Sequence, residues 1–221
     1  MFLDTASIRN SVVSRAKHLG YTPQSVRGSK AYVDLTITPN DTPSTIVIEK
    51  DTQFSSSVNG ISYLFATSNS VTLNVNANGV YTTANVELNQ GIPLTHKYTA
   101  NTKDPDQKFV LPNANTDTST LTVQIQTSAE DSTTFTYAIA NDTTTINATS
   151  NVYFLEEAED GKFECIFGDD VIGRKPVTGN IVLLSSLIAD ADNPNGATTF
   201  TPVGSVGGYS TVSVSTLGSA S

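Results

Sequence analysis

Few side chains in this sequence could carry chemistry. Two histidines, His18 and His96, and one cysteine, Cys165, stand far apart, and no HExxH, paired CxxC or GxSxG spacing joins them into a metal site or a nucleophile with its base. His18 falls in a stretch with helical period and His96 in a loop, while Cys165 alternates with Phe163 and Phe167, the pattern of a buried, inert thiol. Carboxylates gather at Glu156, Glu157, Glu159 and Asp160 and again at Asp169 and Asp170, a grouping that invites comparison with the acid pair of a glycoside hydrolase. Their setting speaks against it. NVYFLEEAEDGKFECIFGDD reads as two strands joined at an Asp160-Gly161 turn, where charge serves solvation, and no matching base or electrophile stabiliser accompanies them. Asp190, Asp192, Asn193, Asn195 and Gly196 form an oxygen-rich loop, but Pro194 and Thr201 break the spacing of a calcium-binding hand, so an Asx-rich turn is expected. The expectation is a chain with no catalytic residues, no cofactor and no metal.

The most informative stretch is Phe167-Gly168-Asp169-Asp170-Val171-Ile172-Gly173-Arg174-Lys175-Pro176-Val177-Thr178-Gly179. A strand ends at Phe167, Gly168 permits a tight reversal, Gly173 and Pro176 shape a loop, and Gly179 releases the chain into the next strand. Arg174 and Lys175 beside glycines could suggest phosphate binding, yet neither GxxxxGK[ST] nor GxGxxG occurs and no helix follows. A loop of fixed shape is the reading that remains.

The elements that would hold this loop follow from periodicity. Ile8, Val12, Ala16 and Leu19 recur at helical spacing, Asp4 or Thr5 can cap the start, and Gly20 with Thr22-Pro23 ends the segment, which predicts one helix over 4–20. Its apolar stripe needs a covering surface, because so short a helix is marginal alone. From Ala31 onward the period is two. Val33, Leu35 and Ile37 alternate with polar residues, and short runs of the same kind follow at 45–49, 62–65, 71–75, 86–88, 121–125, 135–139, 152–155, 163–167 and 181–187, with Val212 and Val214 near the end. Residues 100–118 read as a long loop.

The predicted fold is mainly β, an antiparallel sandwich or meander with one N-terminal α-helix, α+β overall. Three stretches are expected: 1–30 as helix and lead-in, 31–200 as a mainly β domain, and 201–221 as a Gly/Ser-rich terminal strand or linker. With 221 residues, 38% of them hydrophobic, the chain can build a core without disulfide or metal. The net charge of -9 argues against a nucleic-acid coat. The balance is uneven, since residues 1–30 hold Arg9, Arg15, Lys17, Arg27 and Lys30 against Asp4 alone. Arg9, Arg15 and Lys17 beside the apolar stripe of Ile8, Val12, Ala16 and Leu19 therefore make a candidate docking surface for an acidic partner. No run of 18 apolar residues and no signal-peptide layout is present, so cytoplasmic synthesis is the default expectation.

Two segments together, FLDTASIRNSVVSRAKHLGYTPQSVRGSKA and YFLEEAEDGKFECIFGDDVIGRKPVTGNIV, resemble the baseplate wedge protein of T4-type contractile-tailed phages, within the baseplate J-like family. The first matches that family's helix followed by a Gly-Tyr-x-Pro step, here Gly20-Tyr21-Thr22-Pro23. The second matches its FGDG-V-x-G-x-x-P-x-x-G signature, with Asp170 where the second Gly usually stands, a residue that tolerates left-handed backbone better than most. The resemblance covers about 60 residues at the two ends, and the Thr/Asn-rich middle matches only in character. It implies a structural subunit with no catalysed chemistry. Its partners would be other wedge subunits and a second copy of itself, around the tail hub, in the virion. It also implies a fragment or split gene, with helices before this segment and a further domain after it. The alternative from composition alone is a carbohydrate-binding or adhesin-like β-module, which exposed aromatics would support and the lack of Trp disfavours. A hydrolase acting through Glu157 or Asp169 stands third.

Overall fold

A computed structural model of the chain describes residues 12–13, 24–76, 78–140, 143–158 and 161–221. The described chain is mainly β, with fifteen strands in two larger antiparallel-dominated sheets and one two-stranded ribbon. Of the helix expected over 4–20, only Val12 and Val13 lie among the described residues. Both carry helical backbone, too short a piece to establish the element, and Val13 is the buried one (7% exposed) while Val12 is open (37%). Ile8, Arg9, Arg15, Ala16, Lys17, Leu19 and His18 lie outside the described residues.

By their contacts the described residues fall into two compact units, those of 1–26 with 94–186 and those of 27–93 with 187–221, a division that runs inside the stretch 31–200.

The unit of 27–93 and 187–221 is built on β1 (Lys30–Ile37), β3 (Gln53–Val58), β4 (Ile61–Thr67), β6 (Tyr81–Gln90), β14 (Thr201–Pro202) and β15 (Val212–Thr216), in the order β14-β3-β4-β6-β1-β15. Alternation in β1 sends Ala31, Val33, Leu35 and Ile37 inward. They meet Ile46, Ile48 and Leu73 from the ribbon of β2 (Thr45–Ile48) and β5 (Val71–Asn74), so the ribbon covers one face of the sheet. Phe54 pairs with Phe65 across β3 and β4, and Phe65 packs edge-on against Phe200 at 4.9 Å. The stretch 201–221 gives this sheet two of its strands, β14 and β15. Leu217 donates its amide to the Tyr32 carbonyl, Ser221 and Lys30 exchange two backbone bonds of 2.9 and 3.0 Å, and Ala220 is buried.

The other unit carries β7 (Ile92–Thr99), β8 (Phe109–Leu111), β9 (Thr116–Gln126), β10 (Thr134–Ile139), β11 (Val152–Glu157), β12 (Phe163–Phe167) and β13 (Ile181–Ile188), in the order β7-β13-β9-β10-β11-β12-β8. The stretch 100–118 is thus not one long loop: β8 and the start of β9 lie in it. Pairing is antiparallel for β9 with β10, β11 with β12 and β12 with β8, as expected of a mainly antiparallel fold, while β10 and β11 run parallel through Ala138–Val152 and Ile139–Tyr153. Val123, Ile125, Tyr137, Tyr153, Phe163, Cys165, Val182 and Leu184 form one core on the inner face. The sheet curls until its two edge strands meet, with Tyr98 of β7 against Phe109 of β8 at 5.9 Å between ring centroids.

Candidate functional site

The Gly-rich stretch after β12 is a loop of fixed shape, as its glycines predict. A Cβ on Gly168 would lie 2.1 Å from the Gly173 carbonyl oxygen, so no other residue fits there. Gly173 itself has φ of 85° and donates its amide to the Asn147 carbonyl at 3.1 Å. Between them Asp169 accepts amide bonds from Val171 and Ile172 at 3.0 and 2.9 Å. Those bonds, the one from Ile172 foremost, hold its carboxyl below the ordinary range. Asp170 adopts φ of 67°, the left-handed backbone, and its Oδ1 accepts the Lys175 amide at 2.9 Å. Arg174 donates its amide to the Ser150 carbonyl and lays its guanidinium 5.7 Å from the centre of the Phe135 ring. The Gly179 amide reaches the Ala100 carbonyl at 2.9 Å and Asn180 closes the turn back on Val177.

This scaffold holds hydrophobic side chains outward. Gly168, Gly173 and Pro176 are buried, whereas Val171, Ile172 and Val177 are 70%, 47% and 59% exposed. Sequence reasoning fixed the loop's shape from its glycines and passed over this apolar tip. The signal was there, in three aliphatic residues set among loop formers with no strand or helix to bury them.

A groove of about 340 Å³ lies beside the loop, between 100–107 and 164–176. Asn101, Thr102, Asp104, Gln107, Glu164 and Lys175 line it, with Phe109, Cys165 and Phe167 below. Thr102 and Thr178 tie the two walls together, the Thr178 hydroxyl accepting the Thr102 amide at 3.0 Å and sharing a 2.7 Å hydroxyl contact. Lys108 pairs with Glu164 at 3.6 Å. The thiol under the groove is 1% exposed, and burial, with the Glu164 charge second, pushes it up to about 12. Such a thiol is a core group and not a nucleophile.

The remaining candidates stay scattered. His96 lies in strand β7, not in a loop, and is half-buried. Glu157 is buried, contrary to the solvated role expected of its cluster, since the strand runs on to it before the turn; Glu159 and Asp160 lie outside the described residues. The Asp190 loop is spent on fold contacts. Gln90, itself 1% exposed, donates to the Asp190 carboxylate and accepts the Asp190 amide, both at 2.8 Å, and Asn195 accepts the Ser29 hydroxyl at 2.6 Å. Among the described residues, no three His, Cys, Asp or Glu side chains converge as metal ligands would, and no helix is long and apolar enough to cross a membrane. The site is therefore a shaped, mixed apolar and charged surface.

Comparison with protein-family models and with the curated proteins finds no match.

Proposed function

We propose that this chain is a structural part of a contractile-tail baseplate wedge of the baseplate J-like kind, working through protein-protein contacts in the virion. The observation that supports this most is the backbone at Asp170. The resemblance places a glycine at that position, and the φ of 67° is the conformation a glycine signature would require. The loop then spends its polar groups on its own shape and offers Val171, Ile172 and Val177 to a neighbour, which is how a docking element is built and not how a catalytic one is. On this reading the segment 4–20 is the helix whose stripe of Ile8, Val12, Ala16 and Leu19 is completed by a partner, with Arg9, Arg15 and Lys17 facing acidic neighbours. The partners are the other wedge subunits and a second copy of this chain.

The test is reconstitution with the other wedge proteins of a contractile tail. A triple reversal of Arg9, Arg15 and Lys17 to Glu, and separately Val171→Ser with Ile172→Ser, should each impair co-assembly while circular dichroism and melting of the isolated chain stay unchanged. Assembly at wild-type yield with both variants overturns the proposal. Glycan binding by a chain that joins no tail component would favour the carbohydrate-binding reading instead.

A further inference from the structure

The sequence contains three Asn-Gly pairs, Asn59-Gly60, Asn78-Gly79 and Asn195-Gly196, which are equivalent as local chemistry. Asn-Gly is the pair most prone to lose its side-chain amide, because a glycine amide nitrogen reaches the preceding Asn carbonyl carbon without hindrance. The reaction needs that nitrogen free, so the fold can rank the three.

Two of them are engaged. The Gly79 amide donates to the Asn76 carbonyl at 3.1 Å, inside a turn in which the Asn76 side chain also accepts the amides of Asn78 and Val80. The Gly196 amide donates to the Ala220 carbonyl at 2.8 Å, and the Asn195 side chain is held by the Ser29 hydroxyl. Gly60 differs. It sits at the tip of the β3–β4 hairpin, where Asn59 and Gly60 have φ of 54° and 80°, the pair of left-handed residues of a type I′ turn. Its amide has no hydrogen-bond partner among the described residues, the Asn59 side chain has none either, and both residues are exposed.

We propose that Asn59 is the modification site at which this protein deamidates in its folded state. The Gly60 nitrogen forms a bond to the Asn59 side-chain carbonyl carbon, and the side-chain nitrogen leaves as ammonia with the proton that the Gly60 amide gives up. The resulting succinimide adds water at one of its two carbonyls, giving aspartate or isoaspartate. No oxidant or cofactor enters. Opening the turn far enough for attack breaks no bond to the Gly60 amide, whereas Asn78 and Asn195 must first lose one. The isoaspartate product adds one carbon to the main chain at a turn position whose two-residue geometry sets the Phe54–Phe65 register, and either product adds a negative charge.

The full chain is incubated at mildly alkaline pH and 37 °C, digested, and followed by mass spectrometry at all three asparagines, with enzymatic methylation reporting isoaspartate. Asn59 should convert at least about tenfold faster than either of the others, the ratio that one protecting hydrogen bond of modest strength produces. In denaturant the three rates should converge. Asn59→Gln should abolish the early isoaspartate signal and leave Asn78 and Asn195 as they were. Comparable rates in the folded chain, or a preference for Asn59 that persists in denaturant, would overturn the inference.

Discussion

The hydroxyl of Tyr98, on edge strand β7, donates a 2.6 Å hydrogen bond to the carbonyl of Val110 on the opposite edge strand β8. The two strands lie at the ends of the seven-stranded order and share no ladder, so this bond and the ring contact beside it join the edges where backbone pairing does not. The contact continues inward as a run of edge-to-face rings, Phe109 with Phe167 at 5.2 Å and Phe167 with Tyr137 at 5.5 Å. Burial raises the Tyr98 phenol above its ordinary range, as expected for a donor held out of water.

Tyr98→Phe should therefore lower stability by about 1 kcal/mol, the worth of one such bond, since the ring remains to pack. Phe109→Ala should cost about 3 kcal/mol or more, because the ring that touches both Tyr98 and Phe167 is lost. Urea midpoints read both. Equal midpoints for Tyr98→Phe and the parent would show that the edges are held by something else.

The signature loop separates two kinds of constraint. At Gly168 the obstacle is contact with the Gly173 backbone, so Gly168→Ala should cost about 2 to 3 kcal/mol by overpacking. At Asp170 the constraint is the left-handed backbone. Asp170→Gly exchanges the Lys175 amide bond for an easier conformation and should change stability by less than about 1 kcal/mol, whereas Asp170→Val loses both and should cost about 2 kcal/mol. An Asp170→Val variant as stable as Asp170→Gly would contradict the assigned backbone.

The residues that were easy to read from sequence are those whose inward positions are apolar. β1 shows its role because Val33, Leu35 and Ile37 are both alternating and buried. β3 does not, because buried position 56 is a serine and only Phe54 marks the strand. β7 is hidden for a different reason: Pro93 argues against a strand, and Ile92 and Leu94 are exposed. The parallel pairing of β10 and β11 is a tertiary fact that no local pattern announces. In the site, Gly168, Gly173 and Gly179 announced a shaped loop because backbone demands are local. Its other wall, at 100–107, is joined to it through Thr102 and Thr178, 76 residues apart in sequence. Spacing carries no trace of that contact.

Cys165 offers a check on the core of the curled sheet. With its thiol pushed from an ordinary 9.0 to about 12, the thiolate is scarcer at neutral pH by about a thousandfold, and burial adds a barrier to access. Maleimide or disulfide reagents should leave the native chain unlabelled over hours and label it promptly in denaturant. Prompt labelling under native conditions would mean that this core opens readily.

Acid should act on the other unit through Glu87. Burial opposes its ionisation, but bonds from Lys30 at 3.0 Å, Ser68 at 3.0 Å and Tyr32 at 3.3 Å, with the Lys30 charge, outweigh that and hold the carboxyl below its ordinary 4.5. A carboxyl lowered on folding contributes stability that is fully present above the unfolded value and is lost as pH falls through the folded one. Glu87→Gln should thus be less stable than the parent at neutral pH. Below about pH 4.5 the gap should narrow as the parent takes up the proton that the variant never binds. Melting temperatures of both chains across the acid range measure this directly. A gap that stays constant down to the lowest pH would show that the Glu87 charge contributes nothing and that only its packing matters.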